Sequence, residues 1–412
     1  MKTSTEPSSS LAQETEPQRD YQYYKQACAG QAMPFAYLDV DLLEQNIRLI
    51  ASRAGGKRIR IASKSVRSVA VLKRIFAADP CFQGIMCFTA QEAVYLYSQG
   101  FNDLLIGYPT WHEQDIVDVA QAIASGAQII LMLDSVEHVT HIEAIASRHQ
   151  VQIPVCLDLD MALSFPQLHF GVWRSAICTP EQARPVIESI IAAPHVILDG
   201  IMGYEAQIAG LGDNYPKGAP RNTIIRLLKR RAIREVARRR AAIIDLIQSY
   251  NLPLRVVNGG GTGSLHTTRE EPGVTEITVG SGFYAPGLFD NYRDFRYQPA
   301  AGFAIEIVRQ PSSTIYTGLG GGYVASGPLS SDKHPKPYLP AGARLVPLEG
   351  PGEVQTPIVY TGPISLALGD PIFMRHSKAG ELCERFEHLL LISHGEVIDK
   401  ITTYRGDGRC FL

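Results

Sequence analysis

Lys64 is the first residue in the chain whose setting suggests chemistry. It lies in Ile61-Ala-Ser-Lys-Ser-Val-Arg67, directly after the strand-length apolar run Ile59–Ala62. A lysine at a strand end with dry backbone behind it can lose its charge to desolvation. A neutral amine can form a Schiff base with an aldehyde. Two glycine-rich turns strengthen the case: Val257-Asn-Gly-Gly-Gly-Thr-Gly-Ser264 and Val279-Gly-Ser-Gly-Phe-Tyr284. Their backbone N–H groups, with the hydroxyls of Thr262, Ser264 or Ser281, suit a dianionic phosphate without any charged side chain. Neither turn is a dinucleotide-binding fingerprint, because the spacing and the late position are wrong.

These residues need a scaffold that brings them together. Apolar runs of strand length recur at Ile59–Ala62, Gly84–Phe88, Asp103–Gly107, Gln128–Leu133, Ile153–Leu159, Val196–Met202, Leu254–Val257 and Glu276–Val279. Most gaps hold a helical pattern, as in Gln114–Ala124, Val136–Ser147 and Pro180–Ala192, with Thr89, Ser135 and Thr179 where N-caps belong. Eight such units predict a closed (β/α)8 barrel of the TIM type, with an open doubly wound sheet as the alternative. In a barrel, Lys64 follows the first strand and the glycine turns follow the seventh and eighth, so all three open on the C-terminal face. Beyond Tyr292 the chain is dense in Gly and Pro with short β-type runs, which predicts an all-β domain over residues 298–412. The expected organisation is a polar tail over 1–33, a barrel over 34–297 and this β domain. Phe35–Leu38 is a ninth strand candidate that either joins the β domain or crosses to the barrel, and Asp39 or Asp41 caps the helix after it.

Composition narrows the class. The 412 residues are 45% hydrophobic and 19% charged, with net charge −2, which excludes a disordered chain and any global pull toward nucleic acid or an anionic membrane. No apolar run approaches transmembrane length, and Met1–Arg19 lacks the apolar core of a signal peptide. Seven scattered cysteines without a CxxC pattern fit reduced thiols and a cytoplasmic protein. Arg221–Arg240 carries nine Lys or Arg and one acid, Glu235. It reads as a solvated outer barrel helix whose cationic face is also suited to a partner subunit.

Here a resemblance enters. Pro34-Phe-Ala-Tyr-Leu-Asp-Val-Asp-Leu-Leu-Glu-Gln-Asn-Ile47 resembles the opening of the alanine racemase-type (fold type III) pyridoxal-phosphate proteins. Within them the chain is similar to the D-threonine aldolase/D-serine dehydratase group, through Ile59–Ser68, Thr89–Ala93, Gly203–Ala206, Asn258–Ser264, Val279–Tyr284, Gly369–His376 and Gly395–Asp399. The resemblance implies pyridoxal 5′-phosphate on Lys64, with Tyr204 flanking it and Gly261, Thr262, Gly263, Ser264, Gly280, Ser281 and Tyr284 around it. It also implies a homodimer and a lyase acting on a β-hydroxy-α-amino acid of D configuration, by retro-aldol cleavage or by β-elimination with deamination.

Two positions depart from the group. Where relatives carry Arg-x-Gly, this chain has His169-Phe-Gly171, so His169 is the candidate in the arginine's place. Where relatives bind a divalent metal through His-x-Cys or His-x-Asp, this chain has His376-Ser-Lys378. A protonated lysine repels a cation. The expectation is therefore a metal-free site in which Lys378, with His376, serves the substrate β-hydroxyl, in preference to Mn or Zn held by His376 with Glu381, Cys383 or Glu384. Two other readings stay open. An amino-acid racemase would need a second acid/base, for which Tyr284, Tyr323 and Tyr338 are candidates. A non-catalytic cofactor-binding protein of this fold would be a lone barrel.

Overall fold

The computed structural model describes residues 18–216 and 218–412. The first 17 residues of the expected tail, and most of the segment that lacks a signal-peptide core, lie outside the described residues. The rest of the expected 1–33 tail is not simply a tail. Asp20 caps a helix, Tyr21–Ala27, whose Tyr21 and Tyr24 are buried. Tyr24 packs on Tyr37 and Phe373 at ring-centroid distances of 5.2 and 5.7 Å, and its hydroxyl donates to Asp39 at 2.9 Å. Aromatic residues in a polar stretch made this anchor, and the polarity around them hid it.

Eight parallel strands form the closed barrel: Arg58–Ala62, Phe82–Cys87, Leu104–Pro109, Ile129–Leu133, Ile153–Asp158, Val196–Gly203, Val256–Gly259 and Glu276–Val279. The last pairs with the first in parallel, Glu276 opposite Arg58 and Val279 opposite Ile61. Thr89, Ser135 and Thr179 each accept a hydrogen bond from the backbone N–H three residues on, and Gln182 completes a capping box with Thr179. The barrel interior is layered. At the N-terminal end, fully buried Arg60 donates to both Glu276 oxygens at 2.5 and 2.9 Å and to Asp103, and Asn258 donates to Glu276 at 2.8 Å. Above this lies an apolar plug of Leu105, Ile130, Met132, Cys156, Met202 and Val256. A buried arginine is tolerable only with its donors satisfied, and here five of its bonds go to Glu276 and Asp103.

The C-terminal chain builds a nine-stranded sheet. Phe35–Asp39 joins it, between Ala301–Ser312 (antiparallel) and His388–Ser393 (parallel). Asp39, at the end of that strand, caps the helix Val40–Arg53 by accepting from Leu42 N–H at 3.0 Å. Pro371–Arg375, a strand that its leading proline obscures in the sequence, pairs with Ala301–Ser312 and ends just before His376.

The sheet is fastened to the Lys64 turn. Arg67 Nε donates to the Lys64 carbonyl at 2.9 Å and its guanidinium pairs with Glu384, while Tyr284 Oη donates to the Val66 carbonyl at 2.9 Å. Gly380, at φ +84°, presses on the same carbonyl, so closely that a Cβ there would overlap the Lys64 oxygen. Gly380→Ala therefore combines a steric clash with a left-handed backbone and is expected to cost about 3 kcal/mol. Gly369→Ala, at φ +88° with no atom in the way, is expected to cost only about 1 kcal/mol. Urea denaturation of the two variants checks the difference.

Candidate active site

Lys64 stands in a single 3-10 turn, Ser63–Ser65, at the C-terminal end of the first barrel strand. Its Nζ lies 2.8 Å from the Tyr108 hydroxyl, which the strand Leu104–Pro109 delivers to the same mouth. Burial opposes ionisation of Tyr108, but the Lys64 and Arg174 cations outweigh it and lower the phenol below its ordinary range. The Arg174 guanidinium sits 5.3 Å from the Tyr108 ring centroid and 5.1 Å from that of Tyr204. Sequence reasoning missed both Tyr108 and Arg174. Tyr108 looks like a strand-end aromatic, and Arg174 lies outside any Arg-x-Gly segment. His169 does not take the arginine's place. The hairpin Leu163–Phe170 turns it onto Trp173, ring centroids 3.7 Å apart, and the chain then returns to aim Arg174 inward.

The glycine turns meet beside Lys64. A Cβ at Gly280 would come within 2.6 Å of Ser65 Oγ, one at Gly261 within 2.8 Å of the Ala209 Cβ, and one at Gly263 would overlap the Ala209 carbonyl. Thr262 Oγ1 accepts from Gly282 N–H at 3.1 Å, which ties the two turns together. Among the described residues, the N–H groups of Thr262, Gly263, Gly280 and Ser281 have no backbone partner. Ser264 is placed differently from expectation. Its hydroxyl donates to Glu205 at 2.9 Å and accepts from Gly261 N–H at 3.0 Å, so it shapes the loop from behind. Glu205, fully buried, also receives the Gly260 N–H at 3.1 Å, the Thr268 hydroxyl and the Arg240 guanidinium at 3.1 Å. Its place after Tyr204 in Gly203–Ala206 was visible, but its partners lie 35 to 63 residues away. Tyr284 is not at the mouth. It is wholly buried and bonded to the Val66 carbonyl, with Cys383 raising its phenol further beyond what burial does.

The expected pair from the β domain separates. Lys378 faces the site. Burial lowers its ammonium below the ordinary lysine range, Glu381 opposes this, and the Lys64 and Lys333 cations add to it. Its Nζ donates to Ser326 Oγ at 2.6 Å. His376 is fully buried, neither ring nitrogen has a partner among the described residues, and burial holds its imidazolium down to about 3. The strand stops at Arg375 and the chain bends, so residues two apart no longer share a face. Glu381 accepts from Ser326 N–H, Cys383 is buried, and Glu384 pairs with Arg67 and Arg405. Among the described residues, no group of three or more His, Cys, Asp or Glu side chains is placed to hold a metal.

The basic helix, Ala219–Ser249, is more than a solvated face. Lys229 and Arg240 are buried, and Arg239 donates to the carbonyls of Asp160 and Ala162 beneath the hairpin.

Asp158 ends the fifth barrel strand inside the mouth, 5% exposed. Burial pushes its carboxyl up to about 7, with Arg174 opposing and Asp134 adding to the rise. A native acid held above its unfolded value binds protons more tightly in the fold. Its stabilising contribution is therefore complete below about pH 4 and lost as pH rises toward 7. Asp158→Asn is expected to match the wild type near pH 4 and to exceed it by about 1–3 kcal/mol at pH 8. Denaturation at both pH values checks this.

Residues 38–285 match the family model "Alanine racemase, N-terminal domain". Over 250 residues the chain is 24% identical to 3-hydroxy-D-aspartate aldolase of Paracoccus denitrificans (strain Pd 1222), covering 60% of this chain and 59% of that protein. Among solved structures, D-threonine aldolase from Filomicrobium marinum superposes with TM-score 0.74 at 18% identity, over 91% of this chain and 95% of the other. D-threo-3-hydroxyaspartate dehydratase from Delftia sp. HT23 does so with TM-score 0.72 at 18% identity, over 93% and 99%. The curated relatives thus share about three-fifths of their length with this chain, and the solved structures share its fold. No described helix is long and apolar enough to cross a membrane. With the model matched across the whole barrel, the chain belongs to the alanine racemase N-terminal domain family.

Proposed function

We propose that this protein is a pyridoxal 5′-phosphate-dependent lyase that acts on a β-hydroxy-α-amino acid of D configuration, by Cα–Cβ cleavage or by loss of the β-hydroxyl. The observation that carries the reading is the Lys64 amine, 2.8 Å from Tyr108 and flanked by a glycine cradle with unpaired N–H groups. The residues fit the cofactor. Backbone at Thr262, Gly263, Gly280 and Ser281, with the Thr262 hydroxyl, would hold its phosphate. Lys64 would hold its aldehyde carbon, Tyr204 would flank its ring, and Arg174 would supply the cation expected of His169. When bound, the group supplies an electron sink for a carbanion at Cα. The names of the relatives, an aldolase of 3-hydroxy-D-aspartate and a dehydratase of D-threo-3-hydroxyaspartate among them, support the substrate class.

The chain's own residues divide the remaining work. Lys64 Nζ would serve as the base at Cα, and the acidified Tyr108 hydroxyl, 2.8 Å away, can exchange a proton with it. Lys378, steadied by Ser326, would place one positive charge at the substrate β-oxygen and needs no metal to do so. A racemase reading is weaker, because Tyr284 is locked in the core and the Tyr323 hydroxyl is buried, which leaves only the half-buried Tyr338 of its three candidates. The large second sheet counts against a non-catalytic carrier. A cytoplasmic homodimer completes the reading. Seven free cysteines suit a reducing compartment, and Trp173, 83% exposed and adjacent to Arg174, is apolar surface for a second chain to cover.

Borohydride treatment followed by peptide mapping is expected to place the pyridoxyl label on Lys64, and a label elsewhere overturns the assignment. Incubation with a panel of D-β-hydroxy-amino acids is expected to yield either glycine and an aldehyde or a 2-oxo acid and ammonia. Formation of the enantiomer alone would establish the racemase.

Activity is expected to survive chelator, and Lys378→Ala to lose about 10²–10³-fold in turnover, the scale of one preorganised charge. Steady-state rates with and without added manganese or zinc check both points.

A further inference from the structure

Behind the glycine loop lies a cavity of about 130 Å³. Gly263 lines it, with Ile208 of the short helix Ala206–Ala209 and Asp213, and its donors come from three separate elements. The helix Ala219–Ser249 contributes Arg226, Lys229, Arg230 and Ile233, spaced i, i+3, i+4 and i+7 so that they share one face. The segment after the last barrel strand contributes Tyr292, Arg293 and Asp294, and the short helix Leu265–Thr268 contributes His266.

The charge is lopsided. Arg226, Lys229, Arg230 and Arg293 face Asp213 and Asp294; burial lowers the His266 imidazolium below its ordinary range, with Asp294, 3.6 Å away, opposing and the neighbouring cations adding to it. Lys229 and Asp213 cancel, since Nζ donates to Asp213 Oδ2 at 3.1 Å and both are nearly inaccessible. Asp213 is already engaged by the Arg293 N–H at 3.1 Å as well. Arg226 spends one guanidinium nitrogen on the Asp213 carbonyl and another on Thr223. Lys229, 7% exposed, has three N–H donors and one hydrogen-bonded acceptor, with the Tyr292 ring centroid 4.8 Å away. The surplus is two positive charges around a space well above the roughly 10–15 Å³ that admits one water.

We infer that this cavity is a binding site for a small oxyanion of the phosphate type, separate from the Lys64 mouth and sharing only the Gly263 loop with it. A tetrahedral dianion offers acceptors in several directions, which suits donors arriving from three elements, and it cancels the surplus charge. The inference does not depend on the chemistry proposed at Lys64.

The test uses the protein with its cofactor fixed by borohydride, so that the cup at Lys64 is filled, and titrates inorganic phosphate by isothermal calorimetry. One site is expected. The double variant Arg230→Gln, Arg293→Gln removes two exposed cations without touching a buried pair and is expected to weaken phosphate about 10–100-fold, the scale of a charged hydrogen bond. Lys229→Met should abolish binding, and circular dichroism shows whether it folds. An unchanged phosphate affinity in the double variant overturns the site. So does phosphate binding that appears only in cofactor-free protein and competes with pyridoxal phosphate, because the anion then occupies the cup at Lys64. If the borohydride label fails to form, the difference in phosphate binding between untreated wild type and the double variant isolates this cavity, and no difference overturns the site.

Discussion

The pairing of Glu276–Val279 with Arg58–Ala62 closes the barrel, and the site depends on that closure. It brings the last loop of the barrel against the first, so Gly280 lies on Ser65 at a spacing that leaves no room for a side chain. The register is held from inside by Arg60 and Glu276, which meet across the seam. Slipping one strand by one residue would turn its charge to the outer face and leave the other buried without its partner. Buried ion pairs are weak evidence of stability, but breaking one by removing a partner costs about 3–5 kcal/mol. This pair therefore acts against wrong registers more than it adds to the right one.

A second buried charge pair does for the cradle what Arg60 does for the seam. Glu205 and Arg240 lie at the heart of the Gly260–Thr268 loop. The carboxylate gathers donors from backbone, hydroxyl and guanidinium groups, so the loop is pinned from behind and its front is left as bare backbone. A preorganised row of N–H groups pays no reorganisation when an anion arrives. The same helix that supplies Arg240 carries Arg226, Lys229 and Arg230 to the loop's other side. One basic helix thus stiffens the cradle and charges its back.

The second sheet makes the mouth into a chamber. Gly380 sits on the Lys64 carbonyl, Arg67 holds that carbonyl and Glu384, and Lys378 is carried to within electrostatic reach of Lys64 and Tyr108. Burial, with the Lys64 cation adding to it, favours the neutral amine at Lys378.

The barrel was legible in the chain because its signals are local. Each strand is a short apolar run, and each cap, Thr89, Ser135 and Thr179, is a hydrogen bond to a residue three positions on. Lys64 and the glycines were legible for the same reason: their types and their place after strands suffice to locate them at one face. The choice among candidate side chains was decided by tertiary structure. His169 and Arg174 are five residues apart, and only the hairpin's turn sends one to Trp173 and the other to Tyr108. Tyr284 and Ser264 have suitable chemistry, but their hydroxyls are taken by Val66 and Glu205. His376 and Lys378 are two apart, and the end of a strand at Arg375 sends one into the core and the other toward Lys64. Residue type and spacing determine which chemistry is available. Which side chain reaches the mouth depends on the path of the chain and on partners that are mostly tens to hundreds of positions away, and pattern along the chain carries no record of them.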